Sequence, residues 1–537
     1  MNSKIRLLDC TLRDGAYIVN SNFGSAAVKG IIDQLEKANV DIIECGWLKN
    51  DEHKEGTSFF HVPDDLLNYI KPENKRATYV AMIDWDRYNT DYLPSCDGKS
   101  LDAIRVVFPR GKHREGIKIG NEIKKKGYRV FYQAANTLGY TDDELVSLAD
   151  DMNEAMPESL SVVDTFGAMF EEDLLRIISI LDSHLDSRIS LGFHSHNNQQ
   201  LSFALTMSFI KTMSESKRNI IIDSSLCGMG RGAGNATTEL TVSYLNRKCG
   251  CHYNLDAIMD AIDIYMSYFK ENYKWGYSTE YFIAGMYCTH VNNIAYLINN
   301  HRVNFKDMRN IIEMLPPSDR LKYDYDLLEQ KYIENQSRYV DDTEAVKELK
   351  DDFSGREILL IAPGKSSLTQ KEKIKKYIDE NKPVVIGVNA ILKGYDYDYM
   401  FFINQTRYEY AQKAFPDVFV NSKRIVLSNI KHNGGENELV VNFNSAIKRG
   451  WEHFDNAVIC ALRFLDYLGQ PSVTLAGFDG FKTKYNESYA DEFLPSLNAE
   501  GKWDELNSEI TAMFRDFKDK AINCKNVKFL TDSIYNS

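Results

Sequence analysis

The sequence predicts an α/β protein with an N-terminal (β/α)₈ TIM barrel, a helical extension and a C-terminal open, Rossmann-like α/β domain. Two observations carry this prediction. Short runs rich in Val and Ile recur about every 30 residues in the N-terminal part, separated by helical stretches, as in repeated βα units. A second series of such runs begins at Glu357. A doubly wound open sheet is the alternative for the first series, but it rarely shows eight evenly spaced units.

The predicted strands are short and largely apolar, as expected of parallel strands buried on both faces. Those of the barrel are Ile5–Cys10, Asp41–Gly46, Ala77–Ile83, Ala103–Phe108, Arg129–Ala134, Leu160–Asp164, Ser190–His194 and Ile220–Ser224. Those of the second domain are Glu357–Ala362, Pro383–Val388, Tyr399–Ile403, Arg424–Ser428 and Ser472–Ala476. Helices are predicted between them, among them Glu171–His184 and Val458–Leu468.

We therefore predict three segments. Residues 1–250 form the barrel, residues 251–350 a helical extension and linker, and residues 355–537 the Rossmann-like domain. The extension contains helical, aromatic-rich stretches such as Leu255–Lys270 and Tyr281–Ile298, and Pro316-Pro317 interrupts it. These aromatic-rich helices favour a homodimer.

The composition argues against several classes of protein. Apolar residues make up 43% of the chain and the net charge is −13, which indicates a globular protein without a broad nucleic-acid surface. The nine cysteines are scattered, and only Cys249 and Cys251 are closely spaced, which indicates reduced thiols. We find no apolar run long enough to span a membrane and no signal peptide, and so expect a cytoplasmic protein.

Polar side chains follow the predicted barrel strands at the ends where barrel enzymes carry their active sites. In chain order they are Thr11, Arg13, Asp14, Tyr17, Glu44, Asp84, Gln133, Asp164, Thr165, His194, His196, Asn197 and Asp223. A glycine-rich loop, Gly228–Asn235, follows the last strand. We therefore expect the functional site at this rim of the barrel.

His194 and His196 are two residues apart, so an extended chain directs both imidazoles to the same side. The first and last strands of a closed barrel are neighbours, which brings Asp14 close to them. Two imidazoles and a carboxylate are a suitable ligand set for a divalent metal ion. The alternative is a pair of hydrogen-bonded histidines without a metal.

The segments TLRDG (Thr11–Gly15), GFHSHNN (Gly192–Asn198) and GAGN (Gly232–Asn235) together identify a family resemblance. They resemble the pyruvate aldolases of the DRE-TIM metallolyase superfamily, and the 4-hydroxy-2-oxovalerate aldolase family in particular. The segment VVDTFG (Val162–Gly167) is similar to a further stretch of that family. The resemblance covers roughly residues 1–300.

The resemblance implies a class II aldol reaction through a metal-stabilised pyruvate enolate. In cleavage the enolate separates from an aldehyde, and in condensation it adds to one. It implies Asp14, His194 and His196 as metal ligands, and Asn235 as a further ligand or a hydrogen-bond partner of the ligands. Mn²⁺ or Mg²⁺ is the expected ion, and these ligand types also permit Co²⁺ or Zn²⁺. An aldehyde dehydrogenase is the partner that such aldolases imply, although nothing in this sequence shows one.

The resemblance also implies roles for the substrate side of the site. Arg13 would place a positive charge at the 2-oxo oxygen, and Thr165 and Gln133 would bind the substrate. Tyr287 would act as an acid or gate above the site, with a core aromatic as the alternative.

The general base is the main departure from the family. Tyr17 stands where the family carries a histidine, and an ordinary tyrosine is a poor base at neutral pH. A nearby cation could lower its pKa, or else a metal-bound water, His61 or His290 could serve instead.

The second domain carries a weaker signal. Gly364, Ser366 and Ser367 lie between a predicted strand and helix, where backbone amides can hold a phosphate. Asn389 and Asp479 follow other strands of the same sheet. The arrangement resembles the sialyltransferase-like or MptE-like domains of surface-glycan enzymes, which implies nucleotide or nucleotide-sugar binding. Alternatively, the loop is only a tight turn and helix cap, and the sheet serves docking, dimerisation or channelling.

These observations favour an aldolase that joins or separates pyruvate and an aldehyde, and the aldehyde would be sugar-derived if the second domain belongs to glycan synthesis. Three alternatives stay open: a Claisen-type condensation of an acyl-CoA with a 2-oxo acid, a bifunctional aldolase and glycan transferase, and a non-catalytic binding scaffold.

Overall fold

The computed structural model describes residues 4–301, 303–336, 339–432, 434–435, 437–451, 453–482, 485–495 and 502–536. The chain divides into two compact units. The first comprises Met1–Ile294 with Arg320–Lys322, and the second comprises Ala295–Asp319 with Tyr323–Ser537.

The first unit is a closed barrel of eight parallel strands, so the predicted barrel is confirmed. A two-residue strand, β3, adds to the outside of β2. The barrel closes because β1 pairs in parallel with both β2 and β9. The strands are β1 Ile5–Asp9, β2 Ile42–Leu48, β3 Phe59–Phe60, β4 Thr78–Asp84, β5 Ala103–Phe108, β6 Arg129–Ala134, β7 Ser159–Asp164, β8 Ser190–Ser195 and β9 Ile220–Ser224.

Helices cover the outside of this barrel and bury apolar faces against it. The α-helices are Thr11–Asp14, Ser25–Lys37, His113–Lys125, Asp142–Ala155, Glu171–His184, Ser202–Met213, Thr238–Lys248, Leu255–Ala261, Ser267–Asn272 and Thr279–Met286. Helix Val291–Asn300 follows them, and a π-helical turn at Ile262–Met266 joins two of them. Short 3₁₀ turns lie at Gly15–Tyr17, Pro63–Asn68, Pro72–Asn74, Thr90–Tyr92, Thr137–Gly139 and Leu226–Gly228.

Strand β2 contains an irregularity that allows β3 to approach. The register between β2 and β4 shifts between Glu44 and Gly46. Gly46 has a φ of 150°, and a Cβ at this position would lie 1.8 Å from the carbonyl oxygen of Ser58. Only glycine permits this close approach of the two backbones.

The predicted helical stretch Tyr281–Ile298 is wrong at its centre, because the chain leaves the helix after Met286. Cys288 takes a left-handed conformation with a φ of 49°. The amide of His290 then donates to the carbonyl of Arg320 at 2.8 Å rather than to the preceding turn. This break is what turns His290 toward the barrel cavity.

The second unit contains an open sheet of seven parallel strands in the order β14-β13-β12-β11-β10-β15-β16, so the predicted second sheet is confirmed. Strands β14 and β16 were not predicted, because each is short and at least partly exposed at an edge of the sheet. The strands are β10 Ile358–Ile361, β11 Val384–Val388, β12 Tyr399–Phe402, β13 Lys423–Leu427, β14 Glu438–Val441, β15 Ser472–Ala476 and β16 Asn526–Phe529.

Some helices of this unit precede the first strand of its sheet in the chain, and the others lie between or after the strands. They are Phe305–Glu313, Pro317–Arg320, Tyr325–Gln336, Thr343–Phe353, Ser366–Thr369, Lys371–Asn381, Gln405–Ala414, Pro416–Asn421, Ala457–Leu468, Tyr485–Ser488 and Trp503–Lys520, with a 3₁₀ turn at Phe443–Ser445. Across the described parts of the chain, none of the helices combines the length and apolarity that crossing a bilayer requires.

Candidate active site

A cavity of about 830 Å³, including the part open to solvent, lies at the carboxyl ends of the barrel strands. Its position is the one at which TIM barrels carry their active sites. It brings together most of the residues predicted from the sequence. The lining includes Arg13, Asp14, Tyr17, Trp47, Asp84, Gln133, Thr165, His194, His196, Asn198, Arg231 and His290.

Three of these residues form a cluster with the spacing of metal ligands. One donor atom each of Asp14, His194 and His196 lies within 4.8 Å of the other two. Asp14 ends a four-residue helix after β1, His194 lies in β8, and His196 follows that strand directly. Since β8, β9 and β1 are consecutive in the barrel, closure of the sheet brings the three together.

Asn235 completes one side of this cluster. Its amide nitrogen donates to Asp14 Oδ2 at 2.5 Å, and residues 196 and 235 form an isolated backbone bridge. Its Oδ1 atom is buried and has no hydrogen-bond partner among the described residues. A buried amide oxygen without a partner is costly, so this atom suits a ligand oxygen or an acceptor for metal-bound water.

A buried network of charges links two of the clustered ligands. Arg13 donates to Asp14 at 2.7 Å and to Glu44 at 2.8 Å. Arg105 pairs with the same Glu44 oxygen at 2.9 Å and with Asp223 at 2.5 Å. Asp223 in turn lies 3.1 Å from His194 Nδ1. The network therefore fixes the orientation of both ligands.

The electrostatics of this cluster suit a cation. Two guanidinium groups face three carboxylates, so one negative charge is in excess when the histidines are neutral. Burial alone would raise the pKa of Asp14, but Arg13 and His196 outweigh it and hold that pKa well below its usual range. Burial lowers the pKa of His196 to about 4. Both groups are therefore in the forms that bind metal ions at neutral pH.

Two of the predicted substrate-binding residues line the same cavity. Gln133 accepts a hydrogen bond from Arg105 at 2.8 Å and donates one to Ser161 at 3.0 Å, which fixes its amide. The hydroxyl oxygen of Thr165 accepts from the amide of Asn136 at 2.7 Å. Both side chains are therefore held in place before any ligand arrives.

The mouth of the cavity carries a cationic group that the sequence analysis did not single out. The guanidinium of Arg231 lies 5.0 Å from the ring centroid of Tyr17 and donates to His290 Nε2 at 2.9 Å. Burial raises the pKa of Tyr17, although Arg231 opposes the shift. Burial, with a contribution from Arg231, lowers the pKa of His290 to about 3.

Asp84 also lines the cavity, but it does not belong to the buried network of charges. It ends β4 and is partly exposed. Burial raises its pKa above the ordinary value, while Arg87 opposes the shift. Its carboxylate is therefore a stronger base than that of an ordinary aspartate.

Tyr287 and His61, which were considered for proton transfer, lie outside the lining of this cavity. Tyr287 follows the end of helix Thr279–Met286, and its ring packs 5.2 Å from the guanidinium of Arg320. His61 directs Nδ1 to the carbonyl of Lys49 at 3.3 Å. The break at Cys288 explains the first difference, because it turns His290 rather than Tyr287 toward the barrel.

The predicted phosphate site of the second unit is arranged differently from expectation. The amide of Ser366 donates to Asp479 Oδ2 at 2.6 Å, and its hydroxyl donates to the other oxygen of the same carboxylate. The hydroxyl of Ser367 donates to the carbonyl of Gly364 at 2.6 Å. The helix start that was expected to hold a phosphate is thus capped by Asp479. Gly364, Asn389 and Asp479 line a neighbouring cleft that Ser366 and Ser367 do not reach.

The site contains residues that sequence reasoning missed. Arg105 interrupts the apolar run of β5, and a lone arginine in a buried strand is the signal that could have identified it. Arg231 lies inside the glycine-rich loop, whose pattern indicates tight turns and does not mark the arginine. Asn198 holds that loop by accepting from the amide of Ala233 at 2.8 Å.

Comparison with known proteins agrees with this geometry. Residues 113–264 match the model of the HMGL-like family. A 4-hydroxy-2-oxovalerate aldolase of Chloroflexus aurantiacus is 27% identical over 265 residues, covering 48% of this chain and 74% of the relative. An oxaloacetate decarboxylase of Mycobacterium tuberculosis is 27% identical over 260 residues, with the same two coverages. A solved N-terminal domain of a "putative aldolase" from Bacteroides vulgatus is 22% identical with a TM-score of 0.47, covering 54% of this chain and 95% of that one.

The resemblance inferred from the sequence motifs is thereby confirmed. The matched residues lie within the first unit and include β8, with His194, and the glycine-rich loop up to Asn235. The N-terminal barrel is thus similar to HMGL-like domains of the DRE-TIM metallolyase type, and the aldolase and decarboxylase names of its relatives are consistent with an enzyme of the carbon–carbon lyase class.

Proposed function

We propose that the barrel is a divalent-metal-dependent aldolase that makes or cleaves a 4-hydroxy-2-oxo acid, with pyruvate and an aldehyde as its two parts. The observation that carries this proposal is the buried cluster of Asp14, His194 and His196 at the base of a cavity that also holds Arg13 and Thr165. The relatives named 4-hydroxy-2-oxovalerate aldolase support the same reaction.

The ligand set suits Mn²⁺ or Mg²⁺, and Co²⁺ is also compatible with two imidazoles and a carboxylate. Such an ion would supply Lewis acidity that stabilises negative charge on the 2-oxo oxygen of the substrate. Asp14, His194 and His196 would hold it, with Asn235 as a further ligand or hydrogen-bond partner.

Arg13 contributes a fixed positive charge beside this cluster. Its guanidinium is 5.9 Å from the ring centroid of Trp47 and is buried, so its charge acts in a poorly solvated environment. Its pairing with Asp14 and Glu44 keeps it in one orientation. Thr165 and Gln133 lie across the cavity, where a hydroxyl and an amide can bind the substrate carboxylate.

Cleavage requires a base for the proton of the 4-hydroxyl group. When that proton leaves, the C3–C4 bond breaks, the aldehyde departs, and the electron pair passes to the pyruvate enolate. We assign the base to Asp84, because it lines the cavity outside the buried charge network and burial raises its pKa. Burial moves the pKa of Tyr17 upward and that of His290 down to about 3, so neither is suited to accept this proton at neutral pH. Tyr17 keeps a role in shaping the site, because it lines the cavity, whereas Tyr287 lies outside that lining.

Decarboxylation of oxaloacetate is the second candidate, because a relative of equal identity carries that name. The two reactions share a pyruvate enolate, and the same metal cluster and Arg13 would serve both. They differ in the proton acceptor, since loss of carbon dioxide requires no base at a 4-hydroxyl group. Asp84→Asn therefore separates the two candidates: it should abolish aldol cleavage and leave decarboxylation in place.

The proposal is tested by exchange of the C3 hydrogens of pyruvate in D₂O with Mn²⁺, followed by proton NMR. The wild-type chain should exchange them, and His196→Asn should slow the exchange at least about 100-fold because the enolate loses its charge stabilisation. His252→Asn is the matched control, since this exposed histidine lies outside the cavity and should leave the rate unchanged.

A panel of aldehydes then identifies the second part of the substrate, with condensation scored as loss of pyruvate. If neither wild-type exchange nor condensation occurs, the aldolase proposal is wrong. Release of free CoA from an acyl-CoA and a 2-oxo acid would instead support the Claisen-type alternative. Metal binding without any turnover would support a binding scaffold.

A further inference from the structure

A second cleft lies in the C-terminal unit, at the point where the strand order of its sheet reverses. From β10 the chain proceeds to one side through β11, β12, β13 and β14, and it returns on the other side with β15 and β16. In open parallel sheets, ligands bind at the carboxyl ends of the strands beside such a reversal. The cleft has a volume of about 780 Å³, including its open part, within the range of small-molecule sites.

The reversal point is built so that the two loops nearly touch. The amide of Gly364 donates to the carbonyl of Gly477 at 2.9 Å. Gly477 has a φ of 73°, and a Cβ there would lie 2.1 Å from the carbonyl oxygen of Ala362. The cleft is therefore bordered by backbone that no larger residue would permit.

One end of the cleft suits an anion. Arg407 lines it, is 7% exposed, and lies 5.0 Å from the ring centroid of Tyr489. Arg407 belongs to the first turn of helix Gln405–Ala414, whose N-cap, Asn404, also lines the cleft. The first residues of helix Ala457–Leu468 line it as well. The side chains of Asn404 and Asn456 each cap one amide of these helix starts. The buried guanidinium and the positive ends of the two helix dipoles provide the charge that favours phosphate groups.

The other end suits a nucleoside. Phe478 and Phe481 follow β15, and Tyr535 packs 4.5 Å from the ring of Phe478, centroid to centroid. Phe478 and Tyr535 are buried, and Phe481 stacks on Trp503 at 5.6 Å, so these rings form an apolar wall of the cleft against which a planar base can pack. Asp479 also lines the cleft, and its carboxylate can accept hydrogen bonds from ribose hydroxyls. Asp479 is held in place by the amide and hydroxyl of Ser366.

The cleft crosses the ends of several strands. Arg407 follows β12 and Asp479 follows β15, and the two strands are three positions apart in the sheet. At about 4.8 Å per strand, the carboxyl ends of these two strands are about 14 Å apart. A cleft that crosses them has room for a ligand longer than a free phosphate, such as a nucleoside with two phosphates. Asn389 lines the floor between the ends, with a left-handed φ of 56°.

We propose that this cleft binds a nucleoside diphosphate group, with its phosphates at Arg407 and its ribose and base at the end formed by Asp479 and Phe478. The site is independent of the barrel cavity and of the aldolase proposal. It also differs from the phosphate site that the sequence suggested, because Asp479 itself caps the helix start at Ser366.

The test is isothermal titration calorimetry on the full chain with ADP, GDP, CDP and UDP, without pyruvate. Pyrophosphate and the four nucleosides are titrated separately. At least one diphosphate should bind with a dissociation constant below about 100 µM, and pyrophosphate and the matching nucleoside should each bind at least about tenfold more weakly. Because no barrel substrate is present, failure here is distinct from failure of the aldolase assay.

Two variants locate the binding. Arg407→Gln should weaken it at least about tenfold, because a charged hydrogen bond to phosphate is lost. Ala457→Asp should abolish it by placing a negative charge in the cleft, while an aspartate in the first helical turn favours the fold. Lys413→Gln, at an exposed position of the same helix as Arg407, should bind as the wild type does. The proposal is wrong if none of the diphosphates binds, if pyrophosphate alone binds as tightly, or if both cleft variants retain wild-type affinity.

Discussion

Replacing Arg105 by methionine tests the buried network from which the metal site is built. Arg105 is 1% exposed and pairs with Asp223 at 2.5 Å and with Glu44 at 2.9 Å. Methionine fills a similar volume but leaves Asp223 buried without its guanidinium partner and Glu44 paired with Arg13 alone. Removing one member of a buried ion pair costs about 3–5 kcal/mol. A barrel of this size loses about 2–4 °C of melting temperature per kcal/mol, so Arg105→Met should melt roughly 6–20 °C lower than the wild type.

Differential scanning calorimetry of the full chain measures this shift, which should affect only the transition of the first unit. Arg114→Met is the control, because Arg114 pairs with Asp151 at 2.9 Å with its side chain 72% exposed. Such a surface pair is worth about 1 kcal/mol or less, so the control should shift by less than about 4 °C. Arg105→Lys keeps the charge and should fall between the two. If Arg105→Met melts as the control does, the network does not stabilise the barrel as we have argued.

Three further predictions concern the two sites. Because burial raises the pKa of Asp84, its ionised form is lost as the pH falls through a value above the ordinary 3.8, and kcat/KM for aldol cleavage should decline there. Asp84→Asn should lower cleavage at least about 100-fold and remove this pH dependence. Tyr17→Phe should retain cleavage within about fivefold, and a loss of about 100-fold would instead make its hydroxyl the base. Gly477→Ala should destabilise the second unit by more than about 1 kcal/mol in calorimetry, and by more than Gly469→Ala, which shares a left-handed φ but has open space around it.

The sequence was most informative about the barrel, for a physical reason. Strands buried on both faces must be short and apolar, so their positions stand out, and the bounds Ala103–Phe108 and Ile220–Ser224 agree with the structure. The convergence of Asp14 with His194 and His196 could also be inferred, because closure of a barrel makes its first and last strands neighbours.

The parts that could not be inferred depend on long-range contacts. Arg105 acts through residues far away in the chain, Glu44 and Asp223, and no local pattern marks such a pairing. The capping of Ser366 by Asp479 joins residues 113 positions apart. The turn that brings His290 rather than Tyr287 to the cavity depends on the backbone of Cys288, which sequence periodicity does not reveal.

The central claim is that one divalent cation binds between Asp14, His194 and His196. Anomalous diffraction from crystals soaked with Mn²⁺ and oxalate, a stable analogue of the pyruvate enolate, tests it most directly. We predict a single strong anomalous peak in the barrel, within about 2.0–2.3 Å of one oxygen of Asp14 and one nitrogen of each histidine, with Arg13 beside the bound oxalate. A barrel that turns over pyruvate but shows no peak at these three side chains would contradict the account.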